Sequence, residues 1–221
     1  INNGSGSLEE YYDNGQIKKI GNYNDDGMMS GEWRYYHDNG QLKGIGNFNE
    51  MGNPIGEWKT YHSNGNLSSI GNYLSDSNIS YGQLEDIDNP DFSLAQPGSF
   101  SSYKEGEWKM HHENGKLKEV GNYSRNSEIG EWIEYDIDGN LTHTREYLNG
   151  RPFNGMFTII MYDGMKRIEN YKDGKQEGIE KEYWGNGKLA SIGNYINGKK
   201  VGEWKYYDKN GELIKTENFE N

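Results

Sequence analysis

Short runs of aromatic and branched apolar residues, separated by polar turns rich in glycine, recur along the whole chain. One such segment extends from Gly31 to Phe48, with an apolar run on either side of Asn39-Gly40. Trp, Tyr and Ile favour strands, and Asn-Gly between two such runs is the strongest short-range signal for a β-hairpin. The segment therefore predicts two antiparallel strands joined by a two-residue type I′ turn.

A two-residue turn also predicts which residues face each other within that hairpin. Tyr35 is expected opposite Gly44, and Trp33 opposite Gly46, where a glycine leaves room for the large indole. Tyr36 then falls on the opposite face from Trp33. Two interpretations stay open, because either both faces of a single-layer sheet carry apolar rows or a bulge shifts the register within the strand. We favour the first.

This hairpin is one of about eight tandem copies. The turn glycine recurs at intervals of 23 to 25 residues, with one doubled interval of 50 residues, and Gly-Glu-Trp and Gly-Asn-aromatic keep the same step. A fixed period of this length indicates a repeat architecture. We assign to the repeat scaffold the residues Trp33, Trp58, Trp108, Trp132, Trp204, Gly46, Gly71 and Gly121. The predicted fold is all-β: an elongated antiparallel meander of about sixteen strands that forms a single twisted sheet over residues 1–221.

The largest departure from the repeat is an irregular acidic insertion at residues 74–105. It contains Pro90, Pro97 and six acidic residues, and it is far longer than the other connections. Long connections without regular structure are usually functional or disordered. We therefore expect the insertion, together with the tyrosine column, to contact a partner. The residues expected to do so are Tyr36, Tyr61, Asp86, Asp88, Asp91, Phe92 and Phe100.

Charge and composition narrow the classes of partner. The net charge of −12 and the pI of about 4.9 argue against nucleic acid and anionic membranes, and they suit a basic protein partner or simple solubility. No apolar run is long enough to span a membrane. The absence of Cys excludes disulfides and thiolate chemistry. Because the chain begins at Ile1 and lacks Cys, we expect an exported or cell-envelope location over a cytoplasmic one.

Repeated histidines and glutamates are the only candidates for metal binding or catalysis. His37, His62 and His112 occupy the same position in three repeats, so their side chains lie about 9.5 Å apart, two strand spacings. One zinc ion needs ligands at about 2.0–2.1 Å, so the sequence predicts solvated strand histidines, no metal and no cofactor. Glutamates such as Glu32 and Glu57 also recur evenly, which offers no pair in two different environments for acid–base catalysis. These patterns predict a protein that is not an enzyme.

The segment from Gly193 to Tyr207 reads Gly-Asn-Tyr-Ile-Asn-Gly-Lys-Lys-Val-Gly-Glu-Trp-Lys-Tyr-Tyr. It resembles the MORN repeat, and it is most similar to the bacterial variant found in YwqK-family antitoxin proteins. The resemblance covers nearly all of the chain outside residues 74–105. It implies β-hairpins stacked into an elongated, twisted sheet, and a role as a protein-binding scaffold, a membrane-associated module or a dimerisation unit.

These observations predict a non-catalytic, protein-binding repeat protein. The resemblance makes an antitoxin or immunity protein that neutralises a cognate, basic toxin the most concrete version. The alternative is a structural or cell-envelope repeat protein in contact with lipid or glycan. An enzyme would need its chemistry within residues 74–105, and that segment contains no His. The sequence does not indicate an oligomeric state.

Overall fold

The computed structural model describes residues 6–75, 102–161 and 164–220, and every regular element within them is a β-strand. These ranges contain seventeen strands, which are assigned to one sheet, and each strand pair described below is antiparallel, as the repeats predict. The strand beyond the expected sixteen is β13, a two-residue piece. The strands are β1 Gly6–Tyr11, β2 Ile17–Tyr23, β3 Met29–Tyr36, β4 Leu42–Phe48, β5 Pro54–Tyr61, β6 Leu67–Ser75, β7 Ser102–His111, β8 Leu117–Ser124, β9 Ser127–Tyr135, β10 Leu141–Leu148, β11 Arg151–Ile160, β12 Lys166–Lys172, β13 Lys175–Gln176, β14 Gly178–Tyr183, β15 Leu189–Ile196, β16 Lys199–Tyr207 and β17 Leu213–Phe219.

The chain divides into two compact units. The first comprises Ile1–Ser127 with Glu134–Leu141, and the second comprises Glu128–Ile133 with Thr142–Asn221. In the first unit, strands β1 to β8 pair in chain order. In the second unit, β10 to β12 pair in order, β12 pairs with both β13 and β14, and β14 to β17 again pair in order. Each unit is therefore an antiparallel meander, and the single departure from chain order among these pairings is the contact of β12 with β14 past the short β13.

The Asn-Gly turns differ from the predicted type I′ geometry. The Gly40 N–H donates to the His37 carbonyl at 2.9 Å, and the His37 N–H donates to the Gln41 carbonyl at 2.8 Å. The loop therefore has three residues, Asp38 to Gly40. Gly40 has a φ of +81°, whereas Asn39 is not among the residues with positive φ. This combination is a type I turn followed by a glycine bulge.

A second irregularity restores the predicted register beyond the turn. The facing pairs in this hairpin are Trp33 with Gly46, Tyr35 with Gly44, and Tyr36 with Leu42. Lys43 is therefore an extra residue in β4, and this bulge offsets the third residue of the turn. The pairs predicted for Trp33 and Tyr35 are correct although the predicted turn is wrong. The bulge was the less favoured of the two interpretations of the apolar pattern, and it is present.

The indoles of Trp33, Trp58 and Trp108 each lie over a glycine of the preceding hairpin and not over the glycine that they face. An added Cβ on Gly46 would lie 2.1 Å from the Trp58 indole, and one on Gly21 would lie 2.1 Å from the Trp33 indole. The close approach follows from an irregularity between hairpins, where the three residues from Gly31 to Trp33 lie against the single Gly21. Gly31 has a φ of +70°, which only glycine adopts readily.

The buried layer is a row of aromatic rings packed edge to face. In the first unit, neighbouring ring centroids are 5.1–6.3 Å apart and the ring planes are nearly perpendicular. Such pairs contribute about 0.5–1.5 kcal/mol each beyond the burial of their area. This row consists of Tyr23, Trp33, Phe48, Trp58, Tyr73, Trp108 and Tyr123. In the second unit, Phe157 takes the Trp position between Tyr147 and Tyr171.

The borders of the predicted insertion are part of the sheet. Leu74 faces Tyr103 and Ser75 faces Ser102, so the two strands extend into the range 74–105 from both sides. The predicted limits were too wide because the repeat motifs stop before the ladder does. Residues 76–101 lie outside the described part of the chain. They include the predicted partner-binding residues Asp86, Asp88, Asp91, Phe92 and Phe100.

Candidate binding surface

The Asn-Gly turns of the first unit stack on one another through their asparagine side chains. The Asn39 Nδ2 donates to the Ser63 carbonyl of the next turn at 2.7 Å, while its Oδ1 accepts from the Gln41 N–H at 3.0 Å. Asn14, Asn64 and Asn114 donate in the same way, also at 2.7 Å. This double role explains the type I turn, because the asparagine side chain bonds both its own turn and the next one.

The repeated histidines are also ties between repeats. The Nε2 atoms of His37, His62 and His112 each lie 2.9 Å from a backbone carbonyl of the following repeat. The prediction of solvated histidines was wrong, since these rings bridge neighbouring hairpins. The Tyr12 hydroxyl and the Trp184 indole N–H donate to a carbonyl from the same position in their own repeats, at 2.8 Å and 3.1 Å. Five repeats thus have a ring with an N–H or O–H at this position that bonds the next hairpin.

Acidic side chains project from the stacked turns. Asp13, Asp38 and Glu113 occupy the residue before the turn asparagine in three hairpins, and all three are exposed. We call these three residues the acidic ridge. Equivalent residues of adjacent hairpins lie two strands apart, which is about 9.5 Å. Because the asparagine bonds fix the backbone beneath them, these positions are evenly stepped, and carboxylates occupy three of four successive steps, with Ser63 at the other.

The outward face of the strands carries balanced charge. Glu32 pairs with Arg34 at 2.6 Å, and equivalent exposed pairs join Glu57 to Lys59 at 2.7 Å and Glu107 to Lys109 at 2.6 Å. Exposed pairs of this kind contribute about 0–1 kcal/mol to stability. Each carboxylate is matched by a cation, so this face adds little net charge. The negative charge of the first unit is concentrated more strongly on its turns than on this face.

The two predicted partner-binding tyrosines of the described chain are both half-buried. Tyr36 ends β3, and its carbonyl accepts the hydroxyl of Tyr12. Tyr61 ends β5 and lines a groove of about 400 Å³ on the first unit. The predicted scaffold tryptophans Trp33, Trp58, Trp108, Trp132 and Trp204 are all at most 4% exposed. Their burial leaves the indoles without a surface for a partner.

A pair of buried glutamates breaks the aromatic row of the second unit, and sequence reasoning missed it. Glu180 stands at the Trp position and Glu169 at the glycine position that an indole would cover; they are 6% and 3% exposed. The Gln176 Nε2 donates to both carboxyl groups, at 2.7 Å and 3.1 Å. Burial raises the pKa of Glu180, and nearby Arg167 opposes that shift. The signal was present as Gly-Ile-Glu in place of Gly-Glu-Trp.

Burial also raises the pKa of two tyrosines in the same unit. Burial raises the pKa of Tyr171 to about 12, assisted by Glu169, whose carboxylate accepts the Tyr171 hydroxyl at 3.1 Å. In the neighbouring hairpin, burial likewise raises the pKa of Tyr147 to about 12. The two glutamates are closed to a substrate by this packing. The arrangement is therefore a polar exception within the core and not an open catalytic pair.

The described ranges contain no group of three or more His, Asp or Glu side chains placed to hold a metal ion. Within the same ranges, no helix of a length and apolarity suited to crossing a bilayer is found. Within the described part of the first unit, the features that a partner or ligand could contact include the acidic ridge, the ion-paired face and the groove.

The sequence profile of a family described as a MORN repeat variant matches six segments of the chain. These are residues 5–25, 29–50, 54–74, 104–125, 176–197 and 200–221. The hairpins that contain Trp132 and Phe157 lie between matched segments. Among curated proteins, none matches this chain.

Two solved structures show similarity over nearly the whole chain but with little overall superposition. The first is the crystal structure of TcdB2-TccC3-Cdc42, at 13% identity and a TM-score of 0.18, covering 97% of this chain and 14% of that one. The second is the Photorhabdus luminescens Tc holotoxin pore with the mutation TccC3-D651A, at 14% identity and a TM-score of 0.18, covering 95% and 13%. The chain thus spans about one seventh of those chains. At this TM-score the similarity carries no argument about fold or function.

Proposed function

This chain belongs to the MORN repeat variant family, and from that premise we propose that it is a non-catalytic binding protein that holds a basic protein partner against its acidic ridge. The family is generally a non-catalytic repeat family. The observation that supports the proposal is the row of exposed carboxylates on stacked turns, Asp13, Asp38 and Glu113. Repeat proteins commonly bind partners along such extended, regular surfaces.

Electrostatics favours the ridge over the ion-paired face as the contact. The chain has a net charge of −12, and within the described ranges the exposed ridge carboxylates form no ion pair, whereas Glu32 on the strand face pairs with Arg34. Complementary charge steers association and sets partner choice. Exposed charges are screened beyond about 8 Å at physiological ionic strength, so binding at the ridge should weaken steeply with salt. In its most concrete version, the partner is a cognate toxin and the chain is its antitoxin or immunity protein.

The test begins with affinity capture from the native source at low salt, followed by titration of the purified partner by calorimetry. The triple variant Asp13→Asn, Asp38→Asn, Glu113→Gln should weaken binding by at least about tenfold, since three charge contacts are lost. The matched control, Glu32→Gln, Glu57→Gln, Glu107→Gln, removes the same charge from the ion-paired face. It should change the Kd by less than about threefold.

Two outcomes contradict the proposal. One is that no protein is retained at low salt while vesicles or glycans are, which would favour the structural or cell-envelope alternative. The other is that both triple variants weaken binding equally, which would show that only total charge matters and that the ridge has no special role.

A further inference from the structure

The groove on the first unit arises where one hairpin has small residues at positions that are large in its neighbours. Thr60 stands where β3 has Tyr35 and β7 has Met110, each two residues beyond a tryptophan. Ser68 is the bulge residue of β6, where β4 has Lys43 and β8 has Lys118. The hairpin of β5 and β6, with these smaller side chains, leaves a space of about 400 Å³ between the two neighbouring hairpins. That volume lies within the usual range for small-ligand sites, about 300–1,000 Å³.

The groove is basic in a strongly acidic chain. Its lining includes Lys43, Lys104 and Lys118 together with three histidines, and no Asp or Glu of the described chain belongs to it. The nearest carboxylate by register is Glu119, which faces Met110 across the ladder. The Lys104 Nζ lies 4.5 Å from the centre of the Trp108 ring, so the ammonium group makes a cation–π contact with this indole. A chain of net charge −12 therefore concentrates positive charge in this groove.

Polar atoms suited to a ligand lie at the His111 end of the groove. The His111 Nδ1 is buried and makes no hydrogen bond within the described part of the chain. Burial and the nearby His62 and Lys109 lower the pKa of His111, so the ring is neutral at about pH 7, and in its Nδ1–H tautomer it can donate to a carboxylate oxygen. The Thr60 and Ser69 hydroxyls lie 2.7 Å apart, and their mutual bond uses only one of their two hydrogens. A second hydrogen remains for an acceptor on a ligand.

We propose that this groove binds a carboxylate carried on an aromatic body, with the carboxylate against His111 and Lys118 and the ring against Thr60 and Met110. The chemistry favours a carboxylate over a phosphate, because the lining has no Arg fork and offers single ammonium charges. The same chemistry exists in a free aromatic acid and in the C-terminal residue of a peptide that ends in Phe. The site is separate from the acidic ridge, so neither proposal depends on the other.

The probes are indole-3-acetate and a short peptide ending in Phe, each compared with its own amide. Binding is measured on the full chain by calorimetry and by ligand-observed NMR. We expect each acid that enters the groove to bind at least about tenfold more tightly than its amide, because the amide loses the charge-assisted bonds. Binding of the small acid alone assigns a free metabolite as the source, and binding of the peptide acid assigns a protein C-terminus.

Variants tie that binding to the groove. Thr60→Tyr should fill it and abolish binding, and the fold accepts Tyr there because Tyr35 and Tyr206 stack on Trp33 and Trp204 at 6.3 Å from the same position. Lys118→Ala should weaken binding about tenfold. Lys116→Ala is the matched control, since Lys116 bonds the Asp138 carbonyl outside the groove, and it should leave the Kd within about twofold.

Three results would overturn the proposal: no binding of either acid up to about 5 mM, equal binding of acid and amide, or unchanged binding in a folded Thr60→Tyr variant. Circular dichroism establishes that each variant is folded.

Discussion

Substituting Gly46 with Ala tests the packing between hairpins most directly. The added Cβ would lie 2.1 Å from two atoms of the Trp58 indole, far inside contact distance, so the indole must move. Overpacking of this kind costs about 1–3 kcal/mol. The loss of chain entropy in the unfolded state offsets about 0.4–1 kcal/mol. We therefore expect Gly46→Ala to lower the free energy of unfolding by about 1–2 kcal/mol.

A double-mutant cycle identifies which tryptophan Gly46 accommodates. With Trp58→Leu the clashing ring is gone, so the cost of Gly46→Ala should vanish and the two changes should couple by at least about 1 kcal/mol. Trp33 faces Gly46 in the ladder but lies over Gly21, so Trp33→Leu and Gly46→Ala should add within about 0.5 kcal/mol. The cycle thus separates the pairing expected from the sequence from the packing that the structure shows.

The assay is urea unfolding followed by far-ultraviolet circular dichroism, which reports mainly on the backbone and so can be used for variants that lack a tryptophan. Gly6→Ala is the control, because an added Cβ there would meet no atom within 4 Å, and its effect should stay within about 0.5 kcal/mol. If Gly46→Ala proves as harmless as Gly6→Ala, or couples to Trp33 as strongly as to Trp58, the packing argument fails.

Two further predictions follow from the turns and from the buried glutamates. Asn39→Ala should lower the free energy of unfolding by about 1–2 kcal/mol, because it removes the bonds to both Gln41 and Ser63. Asn39→Asp keeps the acceptor for Gln41 and loses only the donor to Ser63, so it should cost about half as much. Urea titration distinguishes the two variants, and an Asn39→Asp variant as stable as the unsubstituted chain would refute the bond between turns. Burial raises the pKa of Glu180 above 4.5, so its protonated form is favoured in the folded state and the stability it contributes is lost as pH rises through that raised pKa. Glu180→Gln should therefore raise the Tm at about pH 7, with an advantage that shrinks towards about pH 4. Glu203→Gln, at an exposed pair, is the control, and a pH-independent difference would contradict the assignment.

The repeat period and strand pairing were predictable because they depend on local chemistry. Trp, Tyr and Ile alternate with turn residues so regularly that the meander and the pairs of Trp33 and Tyr35 follow from sequence. The turn type did not follow, because Asn-Gly predicts a turn from the residues of one hairpin alone. In the structure, Asn39 also bonds the neighbouring turn, and that contact joins residues 24 positions apart. A pattern confined to one hairpin contains no information about it.

Histidine was misjudged for the same reason. His37 looked solvated because its own hairpin offers no partner, yet its ring meets the Tyr61 carbonyl of the next repeat. The equivalent positions of other repeats indicate the bond, since Tyr12 and Trp184 at the same position are also hydrogen-bond donors. The buried Glu180 was likewise visible only by comparison with the tryptophans of other hairpins. Contacts between repeats become visible when equivalent positions of different repeats are compared, and not from the order of residues within one repeat.

A departure from the repeat pattern therefore has different consequences according to how deeply the position is buried. At Glu180 the departure lies in the core, where a carboxyl group replaces an indole and changes stability with pH. At Thr60 the departure lies beside the core, where a small hydroxyl replaces a ring and opens a groove while Trp58 stays buried. The same kind of sequence change thus gives a stability effect in one unit and an accessible site in the other. Depth relative to the aromatic row, and not the degree of departure, decides which of the two results.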